Sequence, residues 1–314
     1  MPAPPRIVFL DAGTVDDLPT FDRFHGLGDF TAYPRSRPEE VTRRARHAEV
    51  IITNKVAITA DHLADLPDLK LICVAATGTN NIDKEAAEER GIPVRNVAGY
   101  STDSVAQLTL TAYFTVAMDL IHLNREVYDG NYSRAQDFTL WRHPFYELAN
   151  ARYGIIGLGT IGSRVAEIAA AYGAEVVYYS SRGHDHDVPY PRLELDEFLR
   201  SCDVISIHCA LSEATRGLIG REELRKMKPS AYLVNVARGG IIDEAALVDA
   251  LNGGAVAGAA VDVFTDEPLP EDHVYLGVNN PEKLLLTPHV GWASVEARTR
   301  LIDGIMENIR QGWE

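Results

Sequence analysis

The stretch Tyr153-Gly-Ile-Ile-Gly157-Leu-Gly159-Thr160-Ile161-Gly162 decides the fold. A short apolar run leads into three closely spaced glycines, and a helical pattern follows. Glycines are common, so the spacing alone is weak evidence; its setting between a buried strand and a helix makes it specific. Gly157 permits a tight turn, Gly159 lets a pyrophosphate approach the backbone, and Gly162 lets helix and strand pack closely. Thr160 and Ile161 open the helix, where unpaired N–H groups favour phosphate. The apolar positions Ile161, Val165, Ile168 and Tyr172 fall on one helical face.

Outward from this turn, short β-branched runs alternate with helical stretches. Toward the C-terminus they are Glu175-Val-Val-Tyr-Tyr, Asp203-Val-Ile-Ser-Ile, Ala231-Tyr-Leu-Val-Asn-Val, Gly258-Ala-Ala-Val-Asp and Leu284-Leu-Leu-Thr. Toward the N-terminus they are Ile7-Val-Phe-Leu, Val50-Ile-Ile, Leu69 to Val74 and Pro93 to Val97. Apolar strands separated by helices imply parallel sheets covered on both faces. At 314 residues the chain is long enough for two cores. The fold class is therefore α/β, with two doubly wound parallel-sheet domains. Ser104 to Tyr128 reads as one long helix carrying the chain between them.

The segment 129–150 is loop-like and aromatic (Tyr132, Phe138, Trp141, Phe145, Tyr146), and a loop of this kind needs a cover. A subunit partner would supply it, which predicts a homodimer; the alternative is that the loop folds back on its own domain. The net charge of −15 argues against nucleic acid or an anionic membrane as partner. The three cysteines (Cys73, Cys202, Cys209) show no paired spacing, as in a reduced compartment. No run reaches the roughly 20 apolar residues of a membrane span, and Ile7 to Leu10 is too short for a signal segment. The expectation is a soluble, cytoplasmic protein.

Candidate site residues cluster just beyond strand ends, where open parallel sheets bind ligands. Arg238 follows Val234-Asn-Val-Ala237. Asp262 closes a strand, with Glu267 five residues later, and His289 follows Leu284-Leu-Leu-Thr-Pro. In the first third of the chain, Asn54-Lys55 and Ala76-Thr77-Gly78-Thr79-Asn-Asn hold the equivalent places. A cleft between two sheets would join the two sets. After Tyr179, an NAD site would carry an acid on the ribose, about 20 residues past the glycines. Here stand Ser180, Ser181 and Arg182, a set suited to a 2′-phosphate, so the cofactor reading leans to NADP. His184-Asp-His186-Asp resembles a metal cluster but nothing is spaced to complete it, and no metal is expected. His208 ends an interior strand and reads as structural.

Six ordered motifs give the chain a resemblance to the D-isomer-specific 2-hydroxyacid dehydrogenase family over essentially its whole length. They are Thr77-Gly-Thr-Asn-Asn-Ile-Asp83, Ser104-Val-Ala-Gln107, Gly157 to Gly162, Asn235-Val-Ala-Arg-Gly-Gly240, Asp262-Val-Phe-Thr-Asp-Glu-Pro268 and Thr287-Pro-His289. Asn54-Lys55 and the stretch from Asp137 to Trp141 look most like its glycerate dehydrogenase, or hydroxypyruvate (glyoxylate) reductase, group. The resemblance implies a Rossmann NAD(P) domain (101–289, with a dimerisation arm at 129–150) inserted into a flavodoxin-like substrate domain (1–100 and 290–314).

The resemblance also implies hydride transfer between NAD(P)H and a small 2-keto acid. Arg238 would hold the substrate carboxylate and polarise its carbonyl, and His289 would be the acid and base. Glu267 would pair with His289 and favour its charged form. Asp262 would hold the nicotinamide carboxamide. Cys209, Ala210, Thr215 and Ala237 join Arg238 and His289 around the cofactor, while Lys55, Thr77, Gly78 and Thr79 would join them at the substrate. Departures from the family pattern fall at Gln107, Asn150 and Ala210. A formate-dehydrogenase-like enzyme and a non-catalytic nicotinamide sensor share the fold; Glu267 beside His289 disfavours the first, and the intact catalytic set disfavours the second.

Overall fold

A computed structural model describes residues 4–15, 19–141 and 143–312. The chain divides into two compact units, one formed by Met1–Ser101 with Ala293–Glu314 and the other by Thr102–Trp292, so the second is an insertion in the first.

In the first unit the strands are β1 (Arg6–Phe9), β2 (Asp29–Ala32), β3 (Val50–Thr53), β4 (Leu71–Val74) and β5 (Val94–Arg95). All pair in parallel, in the order β2-β1-β3-β4-β5 of a flavodoxin-like sheet. β3 and β4 are buried throughout, as strands covered on both faces must be. One core joins Val8, Ile51, Ile72 and Val74 to Val41, Leu63, Leu66 and Ala87. The C-terminal helix Val295–Arg310 also belongs to this unit; it packs on β4 and buries Leu301, Ile302, Ile305 and Ile309. β2 is absent from the expected strands. It is an edge strand of sequence Asp-Phe-Thr-Ala with little burial, so it carries no apolar run to read.

The second unit contains β6 (Arg152–Ile156), β7 (Glu175–Tyr179), β8 (Val204–Ile207), β9 (Tyr232–Asn235), β10 (Gly258–Val261) and β11 (Leu284–Leu286). They form a parallel Rossmann-type sheet in the order β11-β10-β9-β8-β6-β7. The helices Thr102–Ala117 and Thr160–Ala171 cover one face through Ala106, Leu110, Tyr113, Val165 and Ala169. Leu195–Ser201, Arg221–Lys226 and Glu244–Gly253 cover the other through Phe198, Leu224, Leu247 and Leu251.

Two local expectations change. The long helix from Ser104 to Tyr128 is two helices, Thr102–Ala117 and Leu120–Tyr128, bent by 58°. Asp119 sits between them in the left-handed region (φ 53°), a conformation that ends a helix. The buried face of Thr160–Ala171 is Gly162, Val165, Ala166 and Ala169, and Tyr172 is exposed just past its end. Small side chains let this helix lie close to the sheet, and that face is rotated from the one bulky residues suggest. No single helix among the described residues is long and apolar enough to cross a membrane.

Close packing of β6 sets a stability test. A Cβ at Gly154 would lie 2.5 Å from Phe198 Cζ and 2.7 Å from Cys202 Sγ. Gly154→Ala is expected to destabilise the second unit by about 1–3 kcal/mol through overpacking. Urea unfolding followed by circular dichroism measures it; an unchanged midpoint would show that the Phe198 helix yields freely.

Candidate active site

The glycine turn follows β6, and the chain reverses its winding there, passing from β7 back across β6 to β8. Gly157 has φ +91°, and a Cβ on it would lie 2.8 Å from the backbone nitrogen of Cys209. Gly162 would place a Cβ 2.2 Å from the carbonyl oxygen of Gly157. Both positions therefore require glycine for the protein's own packing. Gly159 differs: its φ is an ordinary −85° and nothing lies within 4 Å of its Cβ position. It caps the helix Thr160–Ala171 without a side-chain hydrogen bond, leaving the first-turn amides of Thr160, Ile161 and Gly162 without intrahelical acceptors. A bare backbone before unpaired amides fits the phosphates of a dinucleotide.

Beyond β7, Ser180 accepts a hydrogen bond from the His184 amide (3.1 Å), Ser181 is half-buried and Arg182 is exposed. The two loop histidines do not converge on a ligand set, since the amide of His186 instead donates to Tyr178 Oη (2.9 Å). A grouping that the sequence reading missed lies elsewhere: Asp119, buried His122 and Glu282 bring potential ligand atoms within 4.8 Å of one another. There His122 Nδ1 pairs with Glu282 (2.8 Å), and Nε2 lies 3.6 Å from Glu126.

After β8, His208 Nε2 lies 2.9 Å from Ser206 Oγ, and burial pushes its pKa down to about 3, so the ring is neutral. Cys209 is half-buried against the glycine turn, and burial pushes its thiol up to about 11. It lines the turn as a thiol and not as a nucleophile. Thr215, expected beside the cofactor, is buried with its hydroxyl engaged inside the loop. It donates to the Ala210 carbonyl (2.7 Å) and accepts from the Ser212 amide (2.8 Å). Its part is to shape the Cys209–Leu211 loop.

Arg238 follows β9 in a turn closed by buried Asn235. Asn235 Nδ2 donates to the Arg238 carbonyl (2.9 Å), and its Oδ1 accepts from the Ala237 amide (3.1 Å). The guanidinium donates to the Ala237 carbonyl (2.7 Å) and is half-buried. No carboxylate among the described residues forms an ion pair with it. It is a fixed cation available to an anionic ligand.

His289 lies beyond β11 in the left-handed region (φ 53°). Its Nδ1 faces both oxygens of Glu267, at 2.8 and 3.0 Å, with the two side chains about three-quarters buried (22% and 31% exposed). Nδ1 donates to the carboxylate, which leaves Nε2 as the ring nitrogen able to serve a substrate. Asp262, buried at the end of β10, accepts from Thr287 Oγ1 (2.6 Å) and from the amides of Val290 (2.9 Å) and Gly291 (2.9 Å). A carboxylate offers about four lone pairs, so three are committed to the histidine loop and one remains for a carboxamide.

In the first unit, the loops expected to take part in substrate binding also follow strand ends. Buried Asp11, which the sequence reading used only to end a strand, accepts from the amides of Asn54 (2.8 Å), Lys55 (2.6 Å) and Val56 (3.1 Å). It thereby shapes the loop that presents exposed Lys55. Thr77 Oγ1 donates to the Val97 carbonyl (3.3 Å), and Gly78 and Thr79 are half-buried beside it.

Comparison with known proteins follows this geometry. Residues 110–291 match the family model described as D-isomer specific 2-hydroxyacid dehydrogenase, NAD binding domain. The chain is 37% identical to a glycerate dehydrogenase of Methylorubrum extorquens over 97% of its own length and 95% of the relative's. It is 36% identical to a hydroxypyruvate reductase of Blautia hydrogenotrophica, covering 98% and 96%. Among solved structures, an NADPH-dependent glyoxylate/hydroxypyruvate reductase of Sinorhizobium meliloti, in complex with NADP and malonate, superposes with a TM-score of 0.84. Identity there is 26%, over 98% of this chain and 93% of that one.

The contrast between the glycines gives a direct test. Gly159→Ala should leave thermal stability unchanged and weaken NADPH binding roughly tenfold or more, a difference of ~1.4 kcal/mol. Gly157→Ala should lose both stability and binding. Fluorescence titration and thermal melts separate the two, and undiminished affinity in Gly159→Ala would remove the phosphate role of this turn.

Proposed function

The chain belongs to the D-isomer-specific 2-hydroxyacid dehydrogenase family, and we propose that its substrates are hydroxypyruvate and glyoxylate, with NADPH favoured over NADH. The coarser activity, reduction of a 2-keto acid with a nicotinamide cofactor, follows from the family and from relatives named for that reaction. The observation that carries the residue assignment is the His289–Glu267 pair beside a cation, Arg238, whose guanidinium has no carboxylate partner among the described residues.

When bound, the reduced nicotinamide supplies a hydride for the keto carbon. Arg238 holds the keto acid's carboxylate and polarises the adjacent carbonyl. His289 gives its Nε2 proton to the carbonyl oxygen, and Glu267 stabilises the imidazolium and fixes its orientation through Nδ1. In the reverse direction the same nitrogen accepts the proton. From the first unit, Lys55 and the amides around Gly78 would add to the carboxylate's binding. A small keto acid is favoured because Lys55 is the one basic residue in the two loops assigned there, Asn54-Lys55 and Ala76 to Asn81. Ser180, Ser181 and Arg182 would take the 2′-phosphate of NADPH; their support is the position after β7, where no acid stands.

We further propose a homodimer built on the aromatic arm. Phe138 is 91% exposed, and Tyr128, Trp141 and Tyr146 are also well exposed, a surface that a second copy would cover.

Initial rates with hydroxypyruvate, glyoxylate and pyruvate, using NADPH and NADH in parallel, test the reading. His289→Ala should slow reduction roughly a hundredfold or more. Arg182→Ala should abolish the advantage of NADPH; an NADH preference in the parent enzyme would overturn the cofactor assignment alone. Light scattering should give twice the chain mass, and Phe138→Asp with Trp141→Asp should return it to one; a monomeric parent would end the dimer proposal.

A further inference from the structure

Behind the His289–Glu267 pair stands a second imidazole–carboxylate pair, Glu244 and His273, which the proposed reaction does not use. We infer that Glu244, held by His273, is a positioning residue that sets where Glu267 meets His289; the inference rests on the roles proposed above for those two residues.

Glu267 lies on the irregular segment that follows β10, so no ladder of strand or helix bonds fixes it. Three contacts do. The first is steric: a Cβ at Gly239 would lie 2.0 Å from the carbonyl carbon and oxygen of Phe264 and 2.3 Å from the Thr265 nitrogen. The Phe264–Thr265 peptide therefore lies flat against the turn that carries Arg238. The second is the Phe264 amide, which donates to Glu267 Oε1 at 3.0 Å and holds the oxygen that His289 Nδ1 also approaches. The third is the next amide along. Thr265 N–H donates to Glu244 Oε1 at 2.9 Å, so both N–H groups flanking this peptide are tied to carboxylates.

Glu244 is itself well anchored. It is the first residue of the helix Glu244–Gly253, whose N-cap Asp243 accepts from the Ala246 amide. Its other oxygen, Oε2, lies 3.1 Å from His273 Nε2, and both side chains are largely buried (14% and 8% exposed). His273 Nδ1 accepts from the Tyr275 amide (3.2 Å), so a neutral ring carries its proton on Nε2 and aims it at Glu244. The rings of Phe264 and Tyr275 pack on His273 with centroids 6.1 and 5.0 Å away. A rigid helix thus reaches through one carboxylate to the peptide that orients the catalytic one. The groups acting on His289 are Glu267 directly and Asp262 through the amides of Val290 and Gly291.

Kinetics across pH test this on the full-length enzyme. Glu244→Ala should lower kcat for hydroxypyruvate roughly tenfold, since small misplacements of a catalytic pair cost that much or more. NADPH affinity should not change. The alkaline limb of kcat/KM, which follows protonated His289, should move down by about one pH unit as Glu267 loosens. Glu244→Gln keeps an acceptor for Thr265 and should recover most of the loss. If Glu244→Ala does not fold, His273→Gln carries the test, with the limb moving in the same direction. An unmoved limb in a folded variant overturns the positioning role. His289→Ala, run alongside, distinguishes the parent reading: reduction lost there with the Glu244 limb unmoved sinks only the positioning role, whereas undiminished reduction sinks both.

Discussion

The carboxylate of Asp262 holds the catalytic end of the second unit together. It is buried at the end of β10 and accepts from three groups of the loop after β11. A buried carboxylate left unpaired is strongly unfavourable, so the loop is drawn onto it from both sides of His289. This explains how His289 keeps a left-handed backbone that non-glycine residues seldom adopt. With the backbone fixed, the imidazole meets Glu267, and the strain at one residue is offset by three hydrogen bonds around it.

The same economy of construction recurs at the points where each sheet reverses its winding. In the first unit, Asp11 after β1 gathers three consecutive amides of the loop after β3. In the second, the turn after β6 meets the chain after β8, and Gly157 makes room for the backbone of Cys209. One reversal is fixed by a carboxylate and the other by the absence of a side chain. Parallel sheets leave backbone ends unpaired at these points, so each needs a local device to close it. The devices differ because their tasks differ: Asp11 shapes a loop bearing a cation, whereas the glycine turn keeps a run of amides bare.

Much of this was legible in the sequence because the signals are local. The strands of the second sheet are apolar runs, and Gly157, Gly159 and Gly162 are read from spacing within six residues. Arg238, Glu267 and His289 announce themselves by following strand ends. What escaped reading acts at a distance through backbone groups that have no letter. Asp11 works on amides more than 40 residues away, and Glu244 works on the amide of Thr265. β2 escaped because an exposed edge strand needs no apolar pattern, and the helix break at Asp119 because one left-handed residue leaves the flanking periodicity intact. Thr215 shows the converse error: a polar residue near a site suggests ligand contact, yet its hydroxyl is committed to its own loop.

A chain of net charge −15 that acts on anions needs its cations to operate at contact range. Charges farther than about 8–10 Å are largely screened at physiological ionic strength, so the many surface carboxylates, several of them paired with arginines or lysines, weigh little at a given strand end. A guanidinium touching a carboxylate is screened far less, and a helix N-terminus acts only within its first turn. The arrangement after β6 and β9 follows that logic, with bare amides at Thr160 to Gly162 and a half-buried arginine whose only printed bond is to a carbonyl. Selectivity for a small anion then comes from a few fixed donors and not from the molecule's overall field. The same screening that makes the acidic surface harmless to an anion in contact with Arg238 leaves it free to oppose extended polyanions, whose many charges would meet that surface wherever they lay.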